Sequence, residues 1–280
     1  MKDIAYYNGE IAPVDEMMIP MNDRACFFGD GVYEATTVRN YKIFALKEHL
    51  DRLYSSASQV EIEIPCKRDE LEALLYDIVR KVDTPDQMLY WQVTRGTAPR
   101  NHVFPSKEVK ANLWITSKPF KVKGPDHRLT LCDIEDTRFL HCNIKTLNLM
   151  INCIAATKAE REGCDECVFH KGDYVTECAH SNIHILKDGV FVTHPADNLI
   201  LPGITRKHLI GLCNELDVPV CERAFTMEEL YDADEVFVSS ATKLCKKAVL
   251  LNGKAIGGKA ESLAEKIMSA YYEKYLRETD

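Results

Sequence analysis

No stretch of this 280-residue chain approaches 18 uninterrupted apolar residues, so no membrane-spanning helix is expected. The opening Met-Lys-Asp-Ile-Ala lacks the apolar core and small-residue cleavage site of a secretory leader, which points to the cytoplasm. Charge of one sign is nowhere concentrated: 35 basic residues face 43 acidic ones, and the net of -8 is spread without long like-charge runs. That pattern offers no electrostatic footprint for nucleic acid or an anionic membrane and leaves small molecules as the expected partners. Internal repeats and low-complexity tracts are also absent. The eleven cysteines, scattered from Cys26 to Cys245, are an odd number in a chain of ordinary size, so a reducing compartment is expected rather than a disulfide framework. Cys164-Asp165-Glu166-Cys167 has CxxC spacing, but without a second pair it predicts no metal site.

With 46% hydrophobic residues, the chain is long enough to outgrow a single core. Two domains are expected, over residues 1–118 and 125–280, joined by a Lys-, Pro- and Gly-rich linker at 119–124. The first begins with a strand at 4–7, the turn pair Asn8-Gly9 and a strand at 31–39 in which Val32, Glu34 and Thr36 alternate. Helical spacing follows in Leu46, Leu50, Leu53, Tyr54, Ala57 and Val60, and again in Leu71, Leu74, Leu75, Ile78, Val79 and Val82. Strands at 88–94 and 111–116 flank a loop carrying Pro99 and Pro105. In the second domain a strand at 129–134 precedes a helix running from about Leu147 to Gly163. Short strands at 167–170, 183–186 and 190–193 come next, and helices are predicted at 205–216, 227–233 and 260–277. The class is mixed α and β, with a smaller N-terminal α/β domain and a larger, barrel-like or sandwich-like C-terminal domain.

Between Arg138 and Lys158, Lys145 is the only formally charged side chain, which predicts burial. Desolvation or a neighbouring cation frees a lysine amine for Schiff-base chemistry, although this segment alone fits better a lysine snorkelling from a helix start to water. Its company changes that balance. Glu177 ends a predicted strand, where a carboxylate can pair with a pyridinium nitrogen. Leu201-Pro202-Gly203-Ile204-Thr205-Arg206 leads into a helix whose free N–H groups and Thr205 hydroxyl suit a phosphate dianion. Arg52, on the helix after the hairpins, can add a charge-assisted contact to the same phosphate. Each feature has a commoner ordinary reading, as a helix start or a surface arginine.

Together these segments resemble the class IV (fold type IV) pyridoxal-phosphate-dependent aminotransferases, most closely the bacterial members specific for D-amino acids, from Met1 to about Tyr275. The carriers are Asn-Asp-Arg-Ala-Cys-Phe-Phe-Gly-Asp-Gly-Val-Tyr-Glu (22–34), Glu-His-Leu-Asp-Arg-Leu-Tyr (48–54), Asn-Ile-Lys-Thr-Leu-Asn-Leu (143–149) and Leu-Pro-Gly-Ile-Thr-Arg (201–206). The resemblance implies that Lys145 binds pyridoxal 5′-phosphate covalently, that Glu177 pairs with its pyridine nitrogen, and that Arg52, Ile204 and Thr205 hold its phosphate, with Arg138 supporting the cofactor side. It also implies a homodimer in which both chains shape each site, and a cofactor lying between the two domains.

Thr94-Arg95-Gly96-Thr97-Ala98-Pro99-Arg100-Asn101-His102 resembles the carboxylate trap of the D-specific enzymes. If the segment is extended, Arg100 and His102 share one side of it, and Tyr33 completes the trap with its hydroxyl. A carboxylate pinned on one side of the cofactor leaves only one enantiomer with its Cα proton toward Lys145. The expected reaction is therefore ping-pong transfer of the amino group of a D-amino acid such as D-alanine to a 2-oxo acid such as 2-oxoglutarate. Two departures stand out. Cys178-Ala179-His180-Ser181-Asn182 puts His180, counted here as substrate-binding, where the family has serine, and Ser239-Ser240-Ala241-Thr242-Lys243 leaves Ser240 or Thr242 to stand in for a missing phosphate hydroxyl. A branched-chain L-aminotransferase or an aminodeoxychorismate lyase of the same fold, or a cofactor-binding protein with little turnover, are the alternatives.

Overall fold

The computed structural model describes residues 2–280. Two compact units emerge: Met1–Lys121 with Ile144–Asn148 and Arg277–Asp280, and Val122–Asn143 with Leu149–Leu276. The contiguous partition expected from the sequence thus differs at 144–148 and 277–280, two short pieces that pack with the first unit.

The first unit runs β1 (Ile4–Tyr7), β2 (Glu10–Ala12), α1 (Arg24–Phe28), β3 (Gly31–Arg39), β4 (Lys42–Ile43), α2 (Leu46–Gln59), α3 (Arg68–Arg80), β5 (Gln87–Thr94) and β6 (Asn112–Pro119). Its six strands form one antiparallel sheet in the order β2-β1-β6-β5-β3-β4. Asn8 and Gly9, both at positive φ, turn β1 tightly into β2. Leu46, Leu50, Leu53 and Ala57 of α2 and Leu71, Leu75, Ile78 and Val79 of α3 recur at three- and four-residue spacing, and they bury one stripe of each helix in a core with Val32, Val38, Leu89, Trp91 and Ile115. The Glu70 carboxylate accepts from the Lys67 N–H at 2.9 Å and so caps the start of α3. In β3, Val32, Glu34, Thr36 and Val38 are buried at alternate positions, which sets a lone carboxylate in an otherwise uncharged row.

The second unit contains β7 (Leu129–Glu135), α4 (Met150–Arg161), β8 (Glu166–Lys171), β9 (Tyr174–Cys178), β10 (Asn182–Lys187), β11 (Val190–Thr193), α5 (Ile204–Glu215), β12 (Val220–Glu222), α6 (Met227–Tyr231), β13 (Glu235–Ser240), β14 (Leu244–Leu251), β15 (Lys254–Ala255) and α7 (Glu261–Glu278). Its sheet follows the order β12-β11-β10-β13-β14-β7-β8-β9, with β15 on β14. The chain leaving β12 reaches the opposite edge. Val175 of β9 donates to Phe225 O at 2.9 Å, and Tyr174 bridges Thr226, so the sheet curls into the barrel-like form expected. The pairings β11–β12, β14–β7 and β7–β8 are parallel and the rest antiparallel.

Three differences from the sequence reading have physical causes. The helix expected from Leu147 starts at Met150, because Lys145 to Leu147 hydrogen-bond to β3 instead. The five-residue α1 is too short to show a period, though Asp23 caps it by accepting from Ala25 N–H at 2.9 Å and Gly29 ends it at φ 60. The central strands β13 and β14 lack alternation, since both faces are covered. Among the described residues no helix is long and apolar enough to cross a membrane.

Candidate functional site

In the first unit, Lys145 sits on a five-residue segment laid along the edge of β3 that faces away from β5. Tyr33 N–H donates to Lys145 O and Leu147 N–H to Gly31 O, both at 3.0 Å, and Lys145 N–H reaches Ser56 Oγ at 3.2 Å. Gly31 permits this approach: a Cβ there would stand 2.7 Å from Leu147 Cδ1 and 2.8 Å from Val93 O. Lys145 is half-buried, more accessible than its apolar sequence context predicts, and its Nζ lies 4.2 Å from the centre of the Tyr33 ring. Tyr33 stacks in turn on Tyr90, with ring centroids 5.4 Å apart.

Arg52 grips Glu34 with two hydrogen bonds, Nε to Oε1 at 2.7 Å and an NH2 contact to Oε2 at 2.9 Å. His49 Nδ1 meets Glu34 Oε2 at 2.6 Å. Burial alone would raise the Glu34 pKa, but Arg52 and His49 overcome it and hold the carboxyl at about 2. Burial dominates at His49, so its pKa falls below the ordinary imidazole value despite Glu34, with Arg52 and Lys145 adding to the fall. A neutral His49 donates its Nδ1–H to the carboxylate. Glu34 and His49 lie within the family-like motifs at 22–34 and 48–54 but carry no role in the sequence alone; a lone charge in the buried register of β3 is the signal that points to Glu34.

Arg100 and His102 lie on an exposed loop, and both flank Phe28: the Arg100 guanidinium is 5.3 Å from its ring centre, and the His102 ring centroid is also 5.3 Å away. Arg24 holds this loop by donating to Asn101 O at 2.6 Å. Tyr33 meets Tyr90 and the Lys145 amine, while Arg100 and His102 meet Phe28.

The second unit buries Glu177 at the end of β9. Its Oε2 accepts from Asn182 Nδ2 and from Leu201 N–H, each at 3.0 Å, and its Oε1 accepts from Arg138. Arg138 is fixed by two bonds to Asp136, at 3.0 and 2.8 Å. Burial opposes the charge on Arg138, but Asp136 and Glu177 raise its pKa above the usual arginine value. Burial likewise opposes ionisation of Asp136, yet Arg138 and the Thr176 hydroxyl lower its pKa. Asn182 also donates to Leu201 O at 3.0 Å, and a Cβ on Gly203 would collide with Asn182 Oδ1.

Gly203 therefore starts α5 without a side-chain cap, leaving first-turn N–H groups at Ile204 and the buried Thr205 for an anion. Arg206 anchors that turn, with Nε 3.2 Å from Thr193 Oγ1 and a bond to His194 O at 2.8 Å. His184 bridges Thr193 Oγ1 and Ser239 Oγ, both at 2.8 Å, and burial lowers its pKa to about 3. Ser240 and Thr242 pair their hydroxyls at 3.4 Å in the loop between β13 and β14. His180 is held by Glu166, 3.0 Å from its Nδ1, and by the Lys243 amine, 2.9 Å from its Nε2. Against the cost of burial, His180, Lys243 and Ser181 lower the Glu166 pKa to about 2. Taken by itself, the second unit offers a buried carboxylate suited to a pyridine nitrogen and an uncapped helix start, with the Thr205 hydroxyl in its first turn, suited to a phosphate; the first unit, taken by itself, offers the Lys145 amine, a group suited to an aldehyde.

The sequence pattern of the amino-transferase class IV family matches residues 31–248. A protein named D-alanine aminotransferase from Listeria monocytogenes (strain F2365) is 38% identical, covering 96% of this chain and 95% of its own. One of the same name from Staphylococcus haemolyticus is 35% identical over 97% of both chains. Among solved structures, a branched-chain amino acid aminotransferase from Escherichia coli superposes with a TM-score of 0.89 at 24% identity, covering 100% of this chain and 96% of the other.

The folded Glu34 pKa of about 2 lies below the ordinary 4.5, so its stabilising contribution is complete above pH 4.5 and is lost as pH falls through about 2. Glu34→Gln, which strips Arg52 of a buried counter-ion, is expected to cost roughly 3–5 kcal/mol at pH 7 and to flatten this acid dependence. Urea denaturation of both proteins at stepped pH checks it, and parallel acid profiles would contradict the assignment.

Proposed function

The chain belongs to the class IV aminotransferase family, and from that premise we propose that it transfers the amino group of a D-amino acid such as D-alanine to a 2-oxo acid such as 2-oxoglutarate, using pyridoxal 5′-phosphate. The observation that carries the D assignment is the near full-length likeness to proteins named D-alanine aminotransferase. Likeness to the branched-chain enzyme concerns the fold alone, and Arg100 with His102 supports the D reading.

When bound, the cofactor supplies an electron sink for charge developing at the substrate Cα. Lys145 is the residue that would carry the cofactor, and its amine takes the Cα proton and returns one on the product side. Glu177 would pair with the ring nitrogen; Arg138, Asn182 and the Leu201 N–H hold and orient it. Ile204, Thr205, Ser240 and Thr242 would receive the phosphate, with Arg52 adding positive charge while Glu34 fixes its direction. Tyr33, Arg100 and His102 would grip the substrate carboxylate and so select one enantiomer. His180, immobilised by Glu166 and Lys243, would face the substrate side. A second 2-oxo acid then uses the same groups in reverse, giving ping-pong kinetics.

A cytoplasmic homodimer completes this reading. All eleven cysteines are free, as a reducing compartment allows. Large apolar side chains stand exposed in each unit, including Met21 (86%) and Val103 (72%) in the first and Met150 (72%) in the second, as surfaces awaiting a second copy would.

Incubation with D- or L-amino acids plus 2-oxoglutarate, followed by chiral chromatography, is expected to yield D-glutamate from D-alanine, and L-glutamate formation would contradict the D assignment. Lys145→Ala is expected to lower kcat by about a thousandfold or more. Sedimentation should give twice the 31.8 kDa chain mass at micromolar protein, and a persistent monomer would remove the dimer.

A further inference from the structure

Among residues given no role above, the second unit gathers three thiols and a carboxylate where α4 ends beside β7 and β8. These two strands run parallel with Cys132 opposite Cys167, and both side chains are buried beneath Ala155 and Ala159 of α4. The helix closes at Glu162, and Gly163, at φ 68, reverses the chain so that Cys164 N–H reaches Ala159 O at 2.8 Å. The reversal brings Cys164 back over β7. Sγ of Cys132, Sγ of Cys164 and a carboxylate oxygen of Glu162 all lie within 4.8 Å of one another.

We propose that Cys132, Cys164 and Glu162, with Cys167 as the adjoining fourth ligand, form a binding site for a thiophilic divalent cation of the zinc class. Sulfur ligands disfavour magnesium and calcium, which take oxygen, and a set of three thiolates and one carboxylate matches the tetrahedral preference of zinc. Metal–sulfur bonds of about 2.3 Å require the ligand atoms to draw closer than they stand here. Glu162 and Cys164 occupy the partly exposed turn and can rotate inward, whereas Cys132 and Cys167 are fixed by the sheet. On binding, each ligating thiol releases its proton to solvent. Cys132 makes a long sulfur contact to Glu166 O at 3.8 Å and Cys164 one to Glu162 O at 3.9 Å, contacts the ion would replace. One Glu162 oxygen holds the Lys158 amine at 2.6 Å, leaving the other for the metal. Half of this set is the Cys164–Cys167 pair visible in the sequence; its complement, Cys132, is supplied by strand pairing rather than by a second local motif. The bound ion would pin the turn between α4 and β8 to β7, a structural role independent of the transamination reading.

The test uses reduced, cofactor-loaded protein stripped of metal and titrated anaerobically with Co2+, followed by the thiolate-to-cobalt charge-transfer band and displacement with Zn2+. One equivalent of Co2+ is expected to develop the band in the wild type and in Cys153→Ser, an exposed cysteine of α4 that lies outside the set. Cys164→Ser is expected to abolish the band, and Glu162→Gln to weaken Co2+ binding by about tenfold or more. Transaminase activity should be unchanged in all three variants. Absence of the band from the wild type, its retention in Cys164→Ser, or its loss in Cys153→Ser overturns the proposal. If Cys164→Ser fails to fold, Glu162→Gln decides: binding within twofold of wild type overturns the ligand set.

Discussion

The chemistry assigned to Lys145 depends on two backbone hydrogen bonds, Tyr33 to Lys145 and Leu147 to Gly31, that hold a short segment against the edge of β3 that faces away from β5. A lysine on a helix would sweep its amine through many rotamers at the end of a flexible stem. Here the backbone is fixed on both sides of residue 145, and the amine lies over the Tyr33 ring. The arrangement requires Gly31, since any side chain there would meet Leu147 and the Val93 carbonyl. A glycine in β3 thus positions a lysine more than a hundred residues later.

Each unit also keeps carboxylates out of water, an arrangement that is stable only when charge and hydrogen-bond partners are complete. Glu34 has Arg52 and His49; Glu177 has Arg138, Asn182 and the Leu201 amide; Glu166 has Lys243, His180 and Ser181. Every such group fixes a neighbour assigned to substrate or cofactor. Glu34 aims Arg52, Arg138 aims Glu177, and Glu166 immobilises His180. The neutral His184 extends the same logic, joining Thr193, which meets Arg206 in the first turn of α5, to Ser239 beside the Ser240 and Thr242 hydroxyls.

Much of the fold was legible because periodicity survives wherever one face is buried: β3, α2 and α3 were each readable from alternation or from three- and four-residue spacing. The strand β14 was not, because Leu-Cys-Lys-Lys-Ala-Val-Leu-Leu sets two lysines inside it. Their charges are met far away in sequence, Lys246 by the carbonyls of Lys123 and Gly124 and Lys247 by Glu235 and Glu261. Lys145 could be singled out as the one charge in an apolar run, whereas Glu177 and the start of α5, each ordinary alone, stood out through their company and the family-like motifs. The partners that orient them are harder to read: the lone charge of Glu34 in the buried register of β3 is a signal, but its role is set only when a helix carries Arg52 and His49 onto it. The cysteine cluster has the same character, with strand pairing bringing Cys132 beside a CxxC pair more than thirty residues on.

The central claim is that the amine at position 145 is the cofactor's covalent partner. Loading the protein with pyridoxal 5′-phosphate, reducing it with borohydride and locating the label by peptide mass spectrometry tests this directly. The account predicts a phosphopyridoxyl group on Lys145; a label on another lysine, with the peptide containing Lys145 unmodified, would contradict it.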